Sequence, residues 1–185
     1  MKIEVGVSNR HCHLTEEVYK LLFGKDTLTF KKPLKQPHQF AAEETITISG
    51  PKGSIERVRV LGPFRSYNQV EIAKSDAYKL GVNPPVCTSG ELDKAVMLTL
   101  TGPVGKIDLP CGILANRHVH ISEQEANELN IKDKDPIKII VHGEKSGIVD
   151  GYFKVSKEAY KELHIDIDDA NSLLLKQDDL IEIEY

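Results

Sequence analysis

Tryptophan is absent and aromatic residues make up only 6% of the chain, so any core must be built mainly from aliphatic side chains. The three cysteines, Cys12, Cys87 and Cys111, are odd in number and far apart. That argues against both a disulfide framework and a Cys-x-x-Cys zinc site, and reduced thiols are expected. No apolar run approaches the ~20 residues of a membrane-spanning helix. A basic excess is also missing: the net charge of -4 argues against a general nucleic-acid footprint. An anionic ligand would have to meet a local basic cluster, for which Lys31, Lys32, Arg57 and Arg59 are the candidates. The strand-like Ile3-Glu4-Val5-Gly6-Val7 follows Met1-Lys2 directly, so no signal peptide is expected and the chain reads as intracellular. Low-complexity segments are lacking, and 185 residues suffice for one core or for two small domains.

What is present in excess is repetition. Val7-Ser8-Asn9-Arg10-His11-Cys12-His13-Leu14-Thr15-Glu16 is echoed by Leu114-Ala115-Asn116-Arg117-His118-Val119-His120-Ile121-Ser122-Glu123. Asn-Arg-His-x-His occurs twice, each time after a β-branched stretch and before a Thr or Ser placed as a helix N-cap. Ser122-Glu123-Gln124-Glu125 has the form of a capping box. Both copies therefore read as strand, His-x-His, short helix, the first helix ending at Gly24.

A second echo pairs Thr45 to Gly53 with Leu98 to Gly105, two alternating strands that each enter a Gly-Pro-x-Gly turn, the pattern of a β-hairpin. Spacing predicts short helices over 75–80, 156–163 and 168–175, and strands over 137–141, 148–155 and 181–185. Many short strands with few short helices favour small barrels over a doubly wound sheet.

Four of the seven histidines form the two His-x-His pairs, His11 with His13 and His118 with His120. On a strand, residues i and i+2 face the same side, so each pair can aim two imidazoles at one ion. The alternative is a duplicated structural corner whose histidines cap nearby carbonyls. Imidazole suits zinc, copper, iron or nickel, and does not name the metal. Glu71 and His164 are candidate further ligands, though spacing alone favours reading both as ordinary surface residues. Cys12, between two histidines, should face the opposite side. His11-x-His13-x-x-x-Glu17 imitates part of a cupin motif, but the Glu lies in helical spacing and the downstream histidine is missing. An amidohydrolase would need a (β/α)8 barrel of ~250 residues.

Taken together, these blocks resemble the PduL-type phosphotransacylases, the phosphate propanoyltransferases. The marks are Val5 to Leu14, Gln39-Phe40-Ala41-Ala42-Glu43-Glu44-Thr45, Leu61-Gly62-Pro63-Phe64-Arg65, Gln69-Val70-Glu71, Pro84-Pro85, Ser89-Gly90, Asn116 to His120 and His164-Ile165-Asp166. Cys12 departs from the apolar residue usual in that family. The resemblance implies a mainly β fold of two small six-stranded β-barrels capped by short α-helices. One barrel would take residues 1–9 plus 116–185 and the other 10–115, with the active site at their junction.

It further implies two zinc ions per chain, one on His11, His13 and Glu71 and the other on His118, His120 and His164. Arg65 would be the phosphate-binding arginine; without the resemblance it reads as a solvent-exposed side chain. Ser8, Lys32, Arg59, Leu61 and Asn171 fall where the family contacts coenzyme A. The implied activity is reversible conversion of a short-chain acyl-CoA, acetyl or propanoyl, and phosphate to acyl phosphate and coenzyme A. Rival readings are a dizinc hydrolase and a non-catalytic binding module with structural zinc. Small-molecule substrates, no nucleic acid, no membrane and a homodimer are expected. Microcompartment-packaged members of the family carry an N-terminal extension, so a freely cytoplasmic bacterial enzyme is the expectation here, with microcompartment association left open.

Overall fold

The computed structural model describes all 185 residues. Along the chain run β1 (Lys2–Ser8), β2 (His11–His13), α1 (Glu16–Phe23), β3 (Phe30–Pro33), β4 (Phe40–Gly50), β5 (Gly53–Gly62), β6 (Gln69–Glu71), α2 (Lys74–Leu80) and β7 (Val86–Cys87). They are followed by β8 (Val96–Thr101), β9 (Lys106–Ala115), β10 (His118–Ser122), α3 (Glu123–Glu128), β11 (Pro136–Val141), β12 (Gly147–Ser156), β13 (Glu162–Asp166), α4 (Ile167–Leu173) and β14 (Leu180–Glu184). The chain divides into two compact units, Met1–Asn9 with Asn116–Tyr185, and Arg10–Ala115.

In the discontinuous unit, six strands close into a barrel in the order β1, β13, β10, β12, β11, β14. Alternation builds its core: Ile3 and Val5 of β1, Val119 and Ile121 of β10, Ile137 and Ile139 of β11, and Leu163 and Ile165 of β13 all point inward around Phe153. Filling a closed barrel of this size with branched aliphatics leaves no open sheet edge to protect.

The continuous unit closes another ring of six. β4 pairs with β5, β5 with β2, β2 with β6, β6 with β9, β9 with β8, and β8 returns to β4. β3 and β7 extend it at β4 and β9. Its two long hairpins turn at the expected places, with Gly50 opposite Gly53 and Thr101 opposite Lys106. Tyr19 and Leu22 of α1 and Leu80 of α2 pack into its core with Ile46, Ile48 and Val60. The fold is thus the mainly β, two-barrel architecture that the family resemblance implied.

Helix ends follow local chemistry. Thr15 Oγ1 accepts from the Val18 N–H at 3.2 Å to open α1, and Gly24 closes it at φ 66°, a left-handed conformation that costs glycine no Cβ clash. Ser122 and Glu125 form the reciprocal capping box of α3. One expectation fails. Residues 156–163 are not a helix but the end of β12, a turn and the start of β13. Strand pairing overrides local propensity there: Leu163 is clamped between Val5 and Val119 in register and is fully buried.

The duplication extends to the topology. The strand that leads into each Asn-Arg-His-x-His motif does not stay with it. β1 precedes the first motif but pairs in parallel with β13 in the barrel of the second. β9 precedes the second motif but pairs in parallel with β6 in the barrel of the first. No helix is long and apolar enough to cross a membrane.

Candidate metal centres

β2 and β10 carry the two His-x-His pairs, and each lies between a parallel and an antiparallel neighbour. The antiparallel registers match residue for residue. His11 faces Glu71 and His13 faces Gln69 across β2 and β6. His118 faces His164 and His120 faces Glu162 across β10 and β13. Glu71 and His164 therefore hold equivalent positions in the two barrels, although they are different residue types at different distances along the chain.

The ligand atoms of His118, His120 and His164 all lie within 4.8 Å of one another, and so do those of His11, His13 and Glu71. Ring centroids in the first triad are separated by 4.7 Å (His118 to His120), 5.4 Å (His118 to His164) and 4.5 Å (His120 to His164). His118 Nδ1–H donates to the Asn116 carbonyl at 2.8 Å. A carbonyl only accepts, so the His118 lone pair sits on Nε2, 3.1 Å from His120 Nε2. Two nitrogens bound tetrahedrally at zinc–nitrogen distances of about 2.0 to 2.1 Å stand about 3.3 Å apart, so the pair fits one ion with little movement. In the second triad His11 Nε2 is 3.5 Å from Glu71 Oε2 and the His11 and His13 rings meet edge-on at 5.3 Å. All four paired histidines are buried. Donor sets of three imidazoles, and of two imidazoles with one carboxylate, suit zinc as well as other divalent transition metals.

Both motif arginines are engaged. Arg10 Nε donates to both carboxylate oxygens of Asp76, at 3.0 and 2.9 Å. Arg117 spans Asp169 through Nε and Nη2. Arg59 directs Nη1 at the carbonyls of Ala42 and Glu43. Arg65 differs: its Nε is buried with no hydrogen-bond partner. Of the other residues singled out in the sequence, Lys32 on β3 and Leu61 on β5 flank Ala41 of β4 in one cross-strand row, and Arg59 lies beside His11 in register. Ser8 ends β1 opposite Asp166, the N-cap of α4, and Asn171 is exposed on that helix.

Cys12 has no exposed surface and belongs to the core of its barrel. Burial, then the nearby Cys111, pushes its thiol far above the ordinary range, and burial raises Cys111 to about 12.

Sequence reasoning missed Gln69 and Glu162 as parts of these centres. Each precedes a triad residue by two, and period-2 spacing was the available signal. It also passed over Gly6, where an added Cβ would sit 2.6 Å from Glu162 Cδ and 2.8 Å from His164 Cδ2.

The family model for phosphate propanoyltransferase matches residues 4–176. The chain belongs to the phosphate propanoyltransferase family. A phosphate propanoyltransferase of Thermotoga maritima is 46% identical over 185 residues, covering 98% of this chain and 88% of the relative. One from Rhodopseudomonas palustris is 43% identical, covering 98% and 82%. One from Salmonella typhimurium is 40% identical over 173 residues, covering 92% and 82%. Phosphate propanoyltransferases are acyltransferases, and this chain is an enzyme of that class.

Proposed function

We propose that the chain is a zinc-dependent phosphate acyltransferase that moves a short acyl group reversibly between coenzyme A and inorganic phosphate, with one zinc on each triad. The observation that carries this reading is the equivalence of the triads: two His-x-His strands, each with a third donor at the same register position. A structural corner would need no third donor, and no matching one in the second barrel. Bound zinc would supply Lewis-acid polarisation of a thioester carbonyl and a site for the departing thiolate.

The chain's own residues have distinct tasks. Asn116 fixes the His118 tautomer. The two aspartates hold Arg10 and Arg117 to structural roles. Arg65, whose Nε is buried and unsatisfied, is assigned to phosphate, which a guanidinium grips through two parallel N–H bonds. Lys32, Arg59, Leu61, Ser8 and Asn171 are assigned to coenzyme A. The name of the relatives favours a propanoyl group.

One assay tests the reading. Acetyl-CoA and propanoyl-CoA are supplied with and without phosphate, with and without a chelator, and both free thiol and acyl phosphate are followed. Thiol release should require phosphate and stop with chelator, in protein carrying about two zinc ions per chain. Thiol release without phosphate would make the enzyme a hydrolase. Full activity with less than one transition metal per chain would remove the metal from the reaction.

A further inference from the structure

The register that matches the third donors also matches the residues two positions before them. Gln69 lies opposite His13, and Glu162 lies opposite His120. Both are buried: Gln69 has no exposed surface and Glu162 is 3% exposed. Each hydrogen-bonds the third donor of its own triad: Gln69 Nε2 donates to Glu71 Oε1 at 2.6 Å, and His164 Nε2 donates to Glu162 Oε2 at 2.8 Å.

The polarity of each contact is complementary to its partner. A carboxylate at 71 needs a donor beside it, and position 69 is an amide. An imidazole at 164 must be held in one tautomer, and position 162 is a carboxylate, which accepts only. With Nε2 carrying the proton, the lone pair of neutral His164 lies on Nδ1. Each orienting side chain is itself oriented. The Gly90 N–H donates to Gln69 Oε1 at 2.7 Å, which leaves the Gln69 amide nitrogen to serve Glu71 and Ser89 Oγ. Gln177, whose oxygen accepts from the Val7 N–H, donates at 3.4 Å to Glu162 Oε1. Gly6, paired in register with His164, leaves the space in which the Glu162 and His164 side chains meet.

We propose that Gln69 and Glu162 are positioning residues, one for each metal triad, which orient Glu71 and His164 as ligands. The proposal rests on the metal-binding part of the function proposed above. Outer partners of metal ligands are worth roughly 10- to 100-fold in metal affinity.

The test uses full-length protein, stripped and then titrated with zinc against a competing chelator. Parent protein should fill two sites. Glu162→Leu should weaken one of them by roughly 10- to 100-fold. Gln69→Leu should weaken the other by a similar factor. Glu162→Gln, whose amide oxygen can still accept from Nε2, should stay within about threefold of the parent. A readout independent of zinc is the imidazole nitrogen spectrum of His164 in metal-free protein. It should show the Nε2–H tautomer in the parent and in Glu162→Gln, and lose that preference in Glu162→Leu.

Folded Glu162→Leu and Gln69→Leu proteins that bind zinc within twofold of the parent would overturn the proposal while leaving the proposed function standing. So would a His164 tautomer indifferent to position 162. Parent protein that binds no zinc would instead defeat the dizinc reading itself.

Discussion

Arg117 grips Asp169 with Nε to Oδ2 at 2.9 Å and Nη2 to Oδ1 at 2.6 Å, and Arg10 grips Asp76 in the same manner. Both aspartates are the third residue of a short helix, α2 or α4. Each of those helices directly follows the strand that carries a third donor, Glu71 or His164. The arginine in the repeated motif therefore ties the His-x-His strand to the helix beyond its partner strand.

Replacing Arg117 by Met should lower stability by about 1 to 3 kcal/mol, since it strands a half-buried carboxylate that was held by two charge-assisted bonds. Urea unfolding measures this. A Lys at the same position keeps the charge but loses the fork and should recover only part of the loss. A fully stable Arg117→Met protein would show that the clamp is dispensable.

Arg65→Lys bears on phosphate. Losing the planar fork should raise the KM for phosphate by a factor of about 10 or more and leave the KM for acyl-CoA within about twofold. Unchanged phosphate kinetics would remove Arg65 from that role.

Direct transfer, without an acyl-enzyme, is the outcome expected from the setting of Cys12. Cys12 is sealed in the core, and burial holds its thiol protonated far above neutral pH, whereas the attacking species would be the thiolate. Cys12→Ala should keep activity within a factor of about 10, the effect of a repacked core. Initial rates with varied acyl-CoA and phosphate should give intersecting lines. Parallel lines together with an inactive Cys12→Ala protein would make Cys12 the nucleophile.

Glu44 sets an acid limit on the continuous unit. Burial alone would raise its pKa, but donors outweigh it: the Thr29 hydroxyl at 2.7 Å, the Thr29 N–H and the Tyr19 hydroxyl at 3.0 Å hold the carboxylate below its ordinary value. Burial and the same contact push Tyr19 up to about 12. Because the folded value is lowered, Glu44 contributes stability that is complete above the ordinary carboxylate pKa of about 4.3 and is lost as pH falls through the folded value. Glu44→Gln should cost about 1 to 3 kcal/mol at pH 7 and lessen the difference in melting temperature between pH 7 and pH 4. An unchanged pH profile would discount Glu44.

What could be read from the sequence was what is local or repeated. The His-x-His pairs, the capping of α1 and α3 and the two Gly-Pro hairpins each rest on residues within a few positions of one another. Glu71 and His164 became convincing only through family resemblance, because their place opposite His11 and His118 is set by pairing between strands tens of residues apart. The same cause hid β13. Ser156 to Leu163 has local helical character, and only the closure of a barrel around Leu163 and Ile165 makes its latter part a strand. Gln69 and Glu162 were visible as letters, but their meaning depends on which side of the strand their neighbours occupy.

Strand β1 has a further consequence for how the molecule is made. It is synthesised well before its partners, which are β13 and β14, and the amino group of Met1 closes onto the carbonyl of Ile183 at 2.7 Å. The continuous unit, Arg10–Ala115, draws its six ring strands from one stretch of chain and can close during synthesis. The other barrel cannot. Strand β1 must wait with an unpaired, apolar-faced edge until β13 and β14 have been made, so the nascent chain stays exposed to wrong pairing for as long as the intervening residues take to be synthesised.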